Sequence, residues 1–409
     1  MTQIRLPAGW TFAALVAGIA LGWALAGSAA EQATLAVAGP VGSIWLRALQ
    51  MTIVPLVAAL LVMGITRTVA TASAGPMARR TLLMFFAVLA CGTVFAAVAV
   101  PALLEAFPIP GRAAAALASE SMAPQAVPGI GEFLESLVAP NVVAAAAQTA
   151  MVPLVVFFAA FAIAMTRLPE PRRELLTALF EALGQTMLTI VGWILWLAPV
   201  GVFALALGLG LRSGGGAFAA LGHYILVVSG MGVAVLLAGY VLAALGARRS
   251  PLAFARAMLP AQAVAISTQS SLASLPAMLG SCRELGVRES TADFVLPLAV
   301  AIFRATSPAM NLAVAIYVAY LVGVPLTPTT IAAGVGVALI TTLGSVSLPG
   351  TISFVASIGP IVLAMGLPIE PLLLLLAVEM LPDVVRTVGN VTMDVAVAAT
   401  VDRNTETSD

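Results

Sequence analysis

Apolar residues run along this chain in blocks of about twenty or more, each closed by a short polar or Pro/Gly-rich interval. A helix needs about 20 apolar residues to cross the hydrocarbon core of a bilayer. Blocks of that length lie at residues 10–28, 41–65, 81–104, 137–166, 180–210, 218–246, 292–323 and 370–400. Two more apolar stretches, 252–285 and 327–366, are interrupted in the middle. The interruptions are Ser267-Thr268-Gln269-Ser270-Ser271 and Gly344-Ser345-Val346-Ser347-Leu348-Pro349-Gly350. Each stretch holds two half-length helices around a small-residue tip. Non-helical backbone at membrane depth persists only where protein buries it or where it lines a wet cavity. The pattern therefore predicts an all-α polytopic membrane protein with eight transmembrane helices plus two re-entrant helical hairpins. One kinked full span in place of each hairpin is the alternative.

Composition supports the membrane reading. The chain has 409 residues, 61% of them apolar and 9% charged. Soluble domains carry about 25% charged residues, and a surface this poor in charge is not matched to water. The first block, behind Arg5, reads as a span and not as a cleaved leader, because many equally apolar blocks follow. Net charge is zero, which leaves no basic footprint for nucleic acid. All 18 basic residues are arginine, and Ala and Gly abound, a composition typical of GC-rich bacteria. Cys91 and Cys282 lie far apart and His223 is the sole histidine, so neither a disulfide framework nor a multi-His metal site is expected. No Ser/His or Asp/Asp constellation suggests an enzyme.

The arginines orient the chain. With a cytoplasmic N-terminus and two hairpins, thirteen of the eighteen fall on the cytoplasmic side, and only Arg47, Arg112 and Arg212 fall outside. That asymmetry is the positive-inside pattern. Reading either hairpin as a full span would move Arg283 and Arg288, or Arg403, to the outside. The expected setting is a bacterial inner membrane, multi-pass, with both termini cytoplasmic.

Two arginines, Arg304 and Arg386, sit inside predicted spans with Glu379, Asp383 and Asp394. Intramembrane ionisable groups are costly and mark function by default. Interrupted segments in related positions point to a transporter's binding site. At about 100° per residue, the last span places Glu379 about −40°, Arg386 about −60°, Asn390 about −20° and Asp394 about +20° from Asp383. The five share a stripe roughly 80° wide, bordered by Thr387, which must face protein and not lipid. A buried guanidinium is a planar fork matched to a carboxylate. A carboxylate one turn away suits an ammonium group, and Asn390 suits a second carboxylate. The set fits an amino acid with an acidic side chain; a neutral substrate would leave Arg386 without its anionic partner. An interhelical ion-pair ladder is the structural alternative.

These motifs resemble the dicarboxylate/amino acid:cation symporter family, the glutamate transporter homologues, over nearly the whole chain. Met51-Thr-Ile-Val-Pro-Leu-Val resembles the family's second span and Leu197-Ala-Pro-Val-Gly-Val-Phe-Ala-Leu its fifth. Ser270-Ser271-Leu-Ala-Ser-Leu-Pro276 and Leu348-Pro349-Gly350 resemble the two hairpin tips. Asp383-x-x-Arg386-Thr387-x-x-Asn390-x-x-x-Asp394 resembles the eighth-span signature and is the most specific match. The resemblance implies a homotrimer in the lipid bilayer. It implies a rigid scaffold at about 10–65 and 137–210, and an elevator-like transport domain at about 80–106 and 218–400. A polar tail, expected to be disordered, would fill 401–409. It further implies a small anionic substrate and no cofactor. Asp383 would take the amino group, Arg386 the side-chain carboxylate, and Asn390 and Thr387 the main-chain carboxylate. Ser270, Ser271, Ser307, Leu348 and Gly350 would complete the pocket. Asp394 would belong to a sodium site, and Thr342 with Ser345 resembles a second.

The departures bear on the coupling ion. Family members carry Asn-Met-Asp-Gly-Thr shortly after Leu-Pro-Leu; here Leu296-Pro297-Leu298 is followed by Phe303-Arg304-Ala305-Thr306-Ser307. The third-span ligands, a Tyr followed by Thr-Ser, align with Phe86, Leu89 and Ala90. Hard cations need oxygen ligands, so one cation site is expected to be dismantled as a unit. Arg304 would stand in for the ion and pair with Asp394 or Asp383. Energy would then come from protons carried by Glu379 or an aspartate, with uncoupled exchange and sodium-coupled dicarboxylate symport left open. A channel or sensor on the same fold is the competing class.

Overall fold

The computed structural model describes residues 8–72, 75–110, 135, 137–213, 216–344 and 350–406. Every regular element among them is helical. The first three are α1 (Ala8–Leu25), α2 (Glu31–Ala72) and α3 (Pro76–Ala106). The predicted 137–166 block is two pieces, α4 (Val142–Ala147) and α5 (Met151–Met165). The 180–210 block is also two, α6 (Glu170–Trp196) and α7 (Ala198–Ser213). Pro199 explains the second break: it has no N–H to continue the ladder, and its ring disfavours helix in the residue before it. The helix α8 (Gly216–Leu245) then completes the first half of the fold.

Both interrupted stretches are helical hairpins. The first joins α9 (Pro251–Thr268) to α10 (Ser271–Glu284), and the arms pack on each other. Gln269 makes the reversal in a left-handed conformation with φ 51°. Ser270 caps the second arm by accepting from the N–H of Ala273 at 3.2 Å. The second hairpin joins α13 (Pro328–Gly344) to α14 (Gly350–Ala364), again packed together. The tip residues Ser345 and Leu348 lie outside the described residues. At 1.5 Å per residue, arms of 14 to 18 residues span about 21 to 27 Å, less than a bilayer core of about 30 Å.

The last two predicted spans are broken as well. The seventh is α11 (Glu289–Ile302) and α12 (Ser307–Val322), and the eighth is α15 (Glu370–Leu376) and α16 (Met380–Glu406). Six described helical stretches are long and apolar enough to cross a membrane. The helix α12 lies among α3, α8, α13 and α14 and is buried almost end to end. The helix α16 packs on α8, on both arms of the first hairpin and on α11.

Elsewhere α1 lies along α7, and α2 packs against α5, α6 and α7. Glycine makes that approach close. A Cβ on Gly22 would collide with the carbonyl of Leu207, and one on Gly210 with the carbonyl of Ile19. Such small-residue contacts let helix backbones touch. Trp45 is a packing residue: its ring covers Gly201, and its Nε1 donates to the Ile194 carbonyl at 2.9 Å.

The predicted disordered tail is corrected over its first part. The helix α16 continues through Glu406. Asp402 is buried and accepts from Arg288 Nε at 2.8 Å and Thr291 Oγ1 at 2.7 Å. Arg403 donates to the Gly246 carbonyl at 2.7 Å. Partners more than 100 residues away hold what local polarity marked as loose.

Gly22→Val is expected to lower the apparent Tm of the detergent-solubilised protein by several degrees. Overpacking at such a contact costs about 1–3 kcal/mol. An unchanged melting curve would refute the close α1–α7 approach.

Candidate binding site

The break in the seventh span is tied in the interior to the body of α16 by hydrogen bonds. A helix N-terminus leaves N–H groups without partners, and Thr306 precedes α12 in a buried position. Asn390 Oδ1 accepts from Thr306 N at 2.9 Å and lies 2.8 Å from Thr306 Oγ1. The same hydroxyl lies 3.1 Å from the Arg386 carbonyl. Gly389 permits this, since a Cβ there would come within 2.5 Å of Thr306 Cγ2. Accepting through Oδ1 leaves the amide NH2 of Asn390 as its donor end.

Arg386 lies one turn earlier and is 5% exposed. Its Nη1 donates to Asn311 Oδ1 at 2.8 Å, and its Nη2 donates to Glu379 Oε1 at 2.7 Å. Nε stands 3.4 Å from Asp383 Oδ1. Tyr224, on α8, donates to the other Glu379 oxygen at 3.3 Å. A charge buried this deeply persists only when paired and hydrogen-bonded. Here the pairing is internal. This corrects the expectation that a neutral substrate would leave Arg386 without an anion: Glu379, 2% exposed, already supplies one. Glu379 immediately precedes α16, two turns from Arg386, and its carbonyl accepts from the Asp383 N–H at 2.9 Å.

Arg304 lies half-buried in the 303–306 break and interacts electrostatically with Asp383 and Arg386. Of the two predicted partners, Asp383 is therefore the one near it. Asp394 stands apart. It lies eleven residues beyond Asp383, about 16 Å along the axis at 1.5 Å per residue. It is fully buried, and neither carboxylate oxygen has a hydrogen-bond partner among the described residues. The remaining predicted residues are dispersed or back-bonded. Thr387 Oγ1 donates to the Asp383 carbonyl at 2.9 Å, and Thr342 Oγ1 to the Ala338 carbonyl at 2.7 Å. Ser307 is buried at the start of α12, and its N–H donates to the Arg304 carbonyl at 2.9 Å. Ser270 and Ser271 sit half-buried at the first hairpin tip, and Gly350 opens α14.

Phe86 is 40% exposed, whereas Phe85 is buried and stacks on Phe303 with centroids 4.1 Å apart and planes 3° from parallel. Leu89 lies one turn on, also buried. Aromatic rings face each other where α3 meets the end of α11. Sequence reasoning missed Asn311 and Tyr224. A lone asparagine in the otherwise apolar 307–322 run was the available signal for the first; the second had none.

Asn390→Ala is expected to destabilise the detergent-solubilised protein by about 1–3 kcal/mol, the cost of stranding a buried donor. Thr306→Ser, which keeps both donors, should melt near wild type. Equal melting of Asn390→Ala and wild type would show that the tie between the seventh-span break and α16 contributes nothing.

Comparison with known proteins places these features in a family. The sodium:dicarboxylate symporter family matches residues 8–404. The chain is 27% identical to a proton/glutamate-aspartate symporter of Escherichia coli, over 96% of this chain and 91% of the relative. It is 30% identical to the neutral amino acid transporter B(0) of Bos taurus, over 94% of this chain and 77% of the relative. It is 26% identical to a proton/sodium-glutamate symport protein of Bacillus subtilis, over 93% and 88%. With nearly its whole length matched, this chain belongs to the sodium:dicarboxylate symporter family of cation-coupled membrane transporters.

Proposed function

We propose that this chain is a secondary active symporter of acidic amino acids or C4-dicarboxylates in the bacterial inner membrane, with reduced dependence on sodium. The observation that carries the reading is the cluster of buried Arg386, Asp383 and Asn390 with half-buried Arg304 beside the seventh-span break. Asp383 would hold the substrate amino group and Arg386 its side-chain carboxylate. Asn390 and Thr387 would bind the main-chain carboxylate. Ser270, Ser271, Ser307, Leu348 and Gly350 would close the pocket from the hairpin tips and the seventh span. In this reading α1, α2 and α4–α7 form a trimeric scaffold with cytoplasmic termini. The helices α3 and α8–α16 move past it as an elevator.

The coupling assignment rests on the Phe85–Phe303 stack and on Arg304. Aromatic carbon occupies a junction where a hard cation would need oxygen. Arg304 supplies a permanent positive charge beside Asp383, since guanidinium does not deprotonate in proteins. Sodium at that position becomes unnecessary, and a proton on Glu379 or Asp383 would carry the energy. The relative named for proton coupling in Escherichia coli accords with this. A second reading has its own support. Asp394 is a buried carboxylate with no hydrogen-bond partner among the described residues, the kind of group that calls for a bound ion or proton. With Thr342 and Ser345 it would retain residual sodium use.

Uptake of aspartate, glutamate and succinate into proteoliposomes under separate sodium and proton gradients tests the reading. Uptake should follow the proton gradient, and strict sodium dependence would overturn the role given to Arg304. Counterflow of labelled substrate separates a carrier from a channel, which would show none. Arg304→Met should cut uptake without sodium by about tenfold or more. Unchanged uptake and unchanged sodium response would end the surrogate idea.

A further inference from the structure

The ends of five helices meet where α16 finishes, away from the helix breaks. The turn of residues 246–250 joins α8 to α9, and the turn of residues 285–288 joins α10 to α11. The end of α16 ties to both: Arg403 Nη1 donates to the Gly246 carbonyl at 2.7 Å, and Asp402 accepts from Arg288 Nε at 2.8 Å. Arg249 closes the ring. Its two terminal nitrogens lie 3.9 and 4.0 Å from where a Cβ on Gly286 would stand. Asp402 serves Arg288 and Thr291, and Glu289 accepts from Arg283 at 2.7 Å. Three arginine charges, Arg249, Arg288 and Arg403, less the one of Asp402 leave an excess of two positive charges. Exposed Glu284 offsets one of these, and exposed Arg248 restores it.

Arg249 is half-buried, and its Nε is shut off from solvent without a hydrogen-bond partner among the described residues. A buried donor left open in a native fold calls for an acceptor from outside the chain. Guanidinium is matched to carboxylate or phosphate oxygens. The surroundings decide between them. Leu245 in the last turn of α8 and Leu252 in the first turn of α9 are both exposed. In a membrane chain, apolar side chains exposed on either side of a turn face acyl chains. The turn between them then stands where acyl chains give way to headgroups, and the oxyanion at that level is lipid phosphate. Basic pockets at helix ends bind such headgroups, and each arginine near the surface adds to the attraction. We propose that the 246–250 turn, the 285–288 turn and the end of α16 form a binding site for the phosphodiester headgroup of an anionic lipid. Arg249 is its main ligand, and Arg403 and Arg288 supply the surrounding positive charge. The site is separate from the cluster around Arg386 and depends neither on the substrate nor on the coupling ion.

The test uses the full-length protein purified in detergent. Its apparent Tm is followed while short-chain phosphatidylglycerol, phosphatidylcholine of the same chain length or inorganic phosphate is added, and native mass spectrometry counts the lipids retained. Phosphatidylglycerol should raise the Tm of the wild type and saturate. Phosphatidylcholine, which carries the same phosphate without net charge, should need about tenfold more. Arg249→Gln should raise the half-saturating concentration of phosphatidylglycerol about tenfold and lose a retained lipid. Arg249→Lys keeps the charge without the Nε–H; it should raise that concentration about threefold, and serves if the glutamine variant is not recovered. Arg79→Gln removes an exposed arginine at the start of α3, outside the ring, and should bind as the wild type does. An equal loss in Arg79→Gln and Arg249→Gln would mean diffuse attraction to a basic surface and overturn the site. A lower starting Tm in both Arg249 variants with an unchanged response to phosphatidylglycerol would make Arg249 purely structural and overturn it as well. Inorganic phosphate acting at the same concentrations as phosphatidylglycerol would overturn the assignment to lipid.

Discussion

A guanidinium in the interior of a membrane protein has to be answered by acceptors, and the arrangement of this site follows from that one demand. Arg386 meets it with Asn311, Glu379 and Asp383, and Glu379 meets its own second oxygen with Tyr224. Those residues come from α8, α12, the end of the 377–379 turn and α16. The charge thus fixes three helices relative to one another. Removing one partner of such a set leaves another charge stranded, which costs several kcal/mol. The set therefore holds as a unit, and only a ligand or a proton that replaces a partner can open it.

The two helix breaks are the second requirement. Interrupting a helix inside the protein exposes N–H and C=O groups that must be satisfied. In this fold the eighth span answers the break in the seventh: Asn390 takes the Thr306 N–H, and the Arg386 carbonyl faces the Thr306 hydroxyl. Gly389 gives up its side chain so that the two backbones can come this close. Arg386 and Asn390, on consecutive turns of one helical stripe, both make these ties. That economy has a consequence. A substrate that recruits Asn390 must use its amide NH2, because its oxygen is already committed to Thr306.

The sequence made the stripe legible because a 100° step per residue turns spacing into direction, and because charges in an apolar run are conspicuous. The hairpins were legible for a similar reason: clusters of Ser, Gly and Pro interrupt otherwise apolar helices. What stayed hidden depends on contacts between distant segments. Asn311 meets Arg386 across 75 residues and Tyr224 meets Glu379 across 155. No spacing rule reaches that far. Asp402 looked like part of a loose tail because Arg288 and Thr291 lie 114 and 111 residues away.

Arg304 and Asp394 divide the question of the coupling ion between two places. Near the breaks, positive charge is covalently supplied: Arg304 sits with Asp383, and a flat pair of phenylalanine rings stands beside the position. About 16 Å along α16, at 1.5 Å per residue, Asp394 is fully buried and has no hydrogen bond among the described residues. A tethered guanidinium contributes the same charge in every state of the cycle, so it can stabilise a site but cannot report whether an ion has arrived. Energy coupling needs a group whose charge changes on binding. That requirement rules Arg304 out as the coupling element itself and leaves the carboxylates. Among those, Glu379 contacts Arg386 directly, whereas Asp394 lies farther along the same helix, beyond Asn390. A proton at Glu379 would be felt directly by the substrate's side chain, while an ion at Asp394 would be felt through the position of α16.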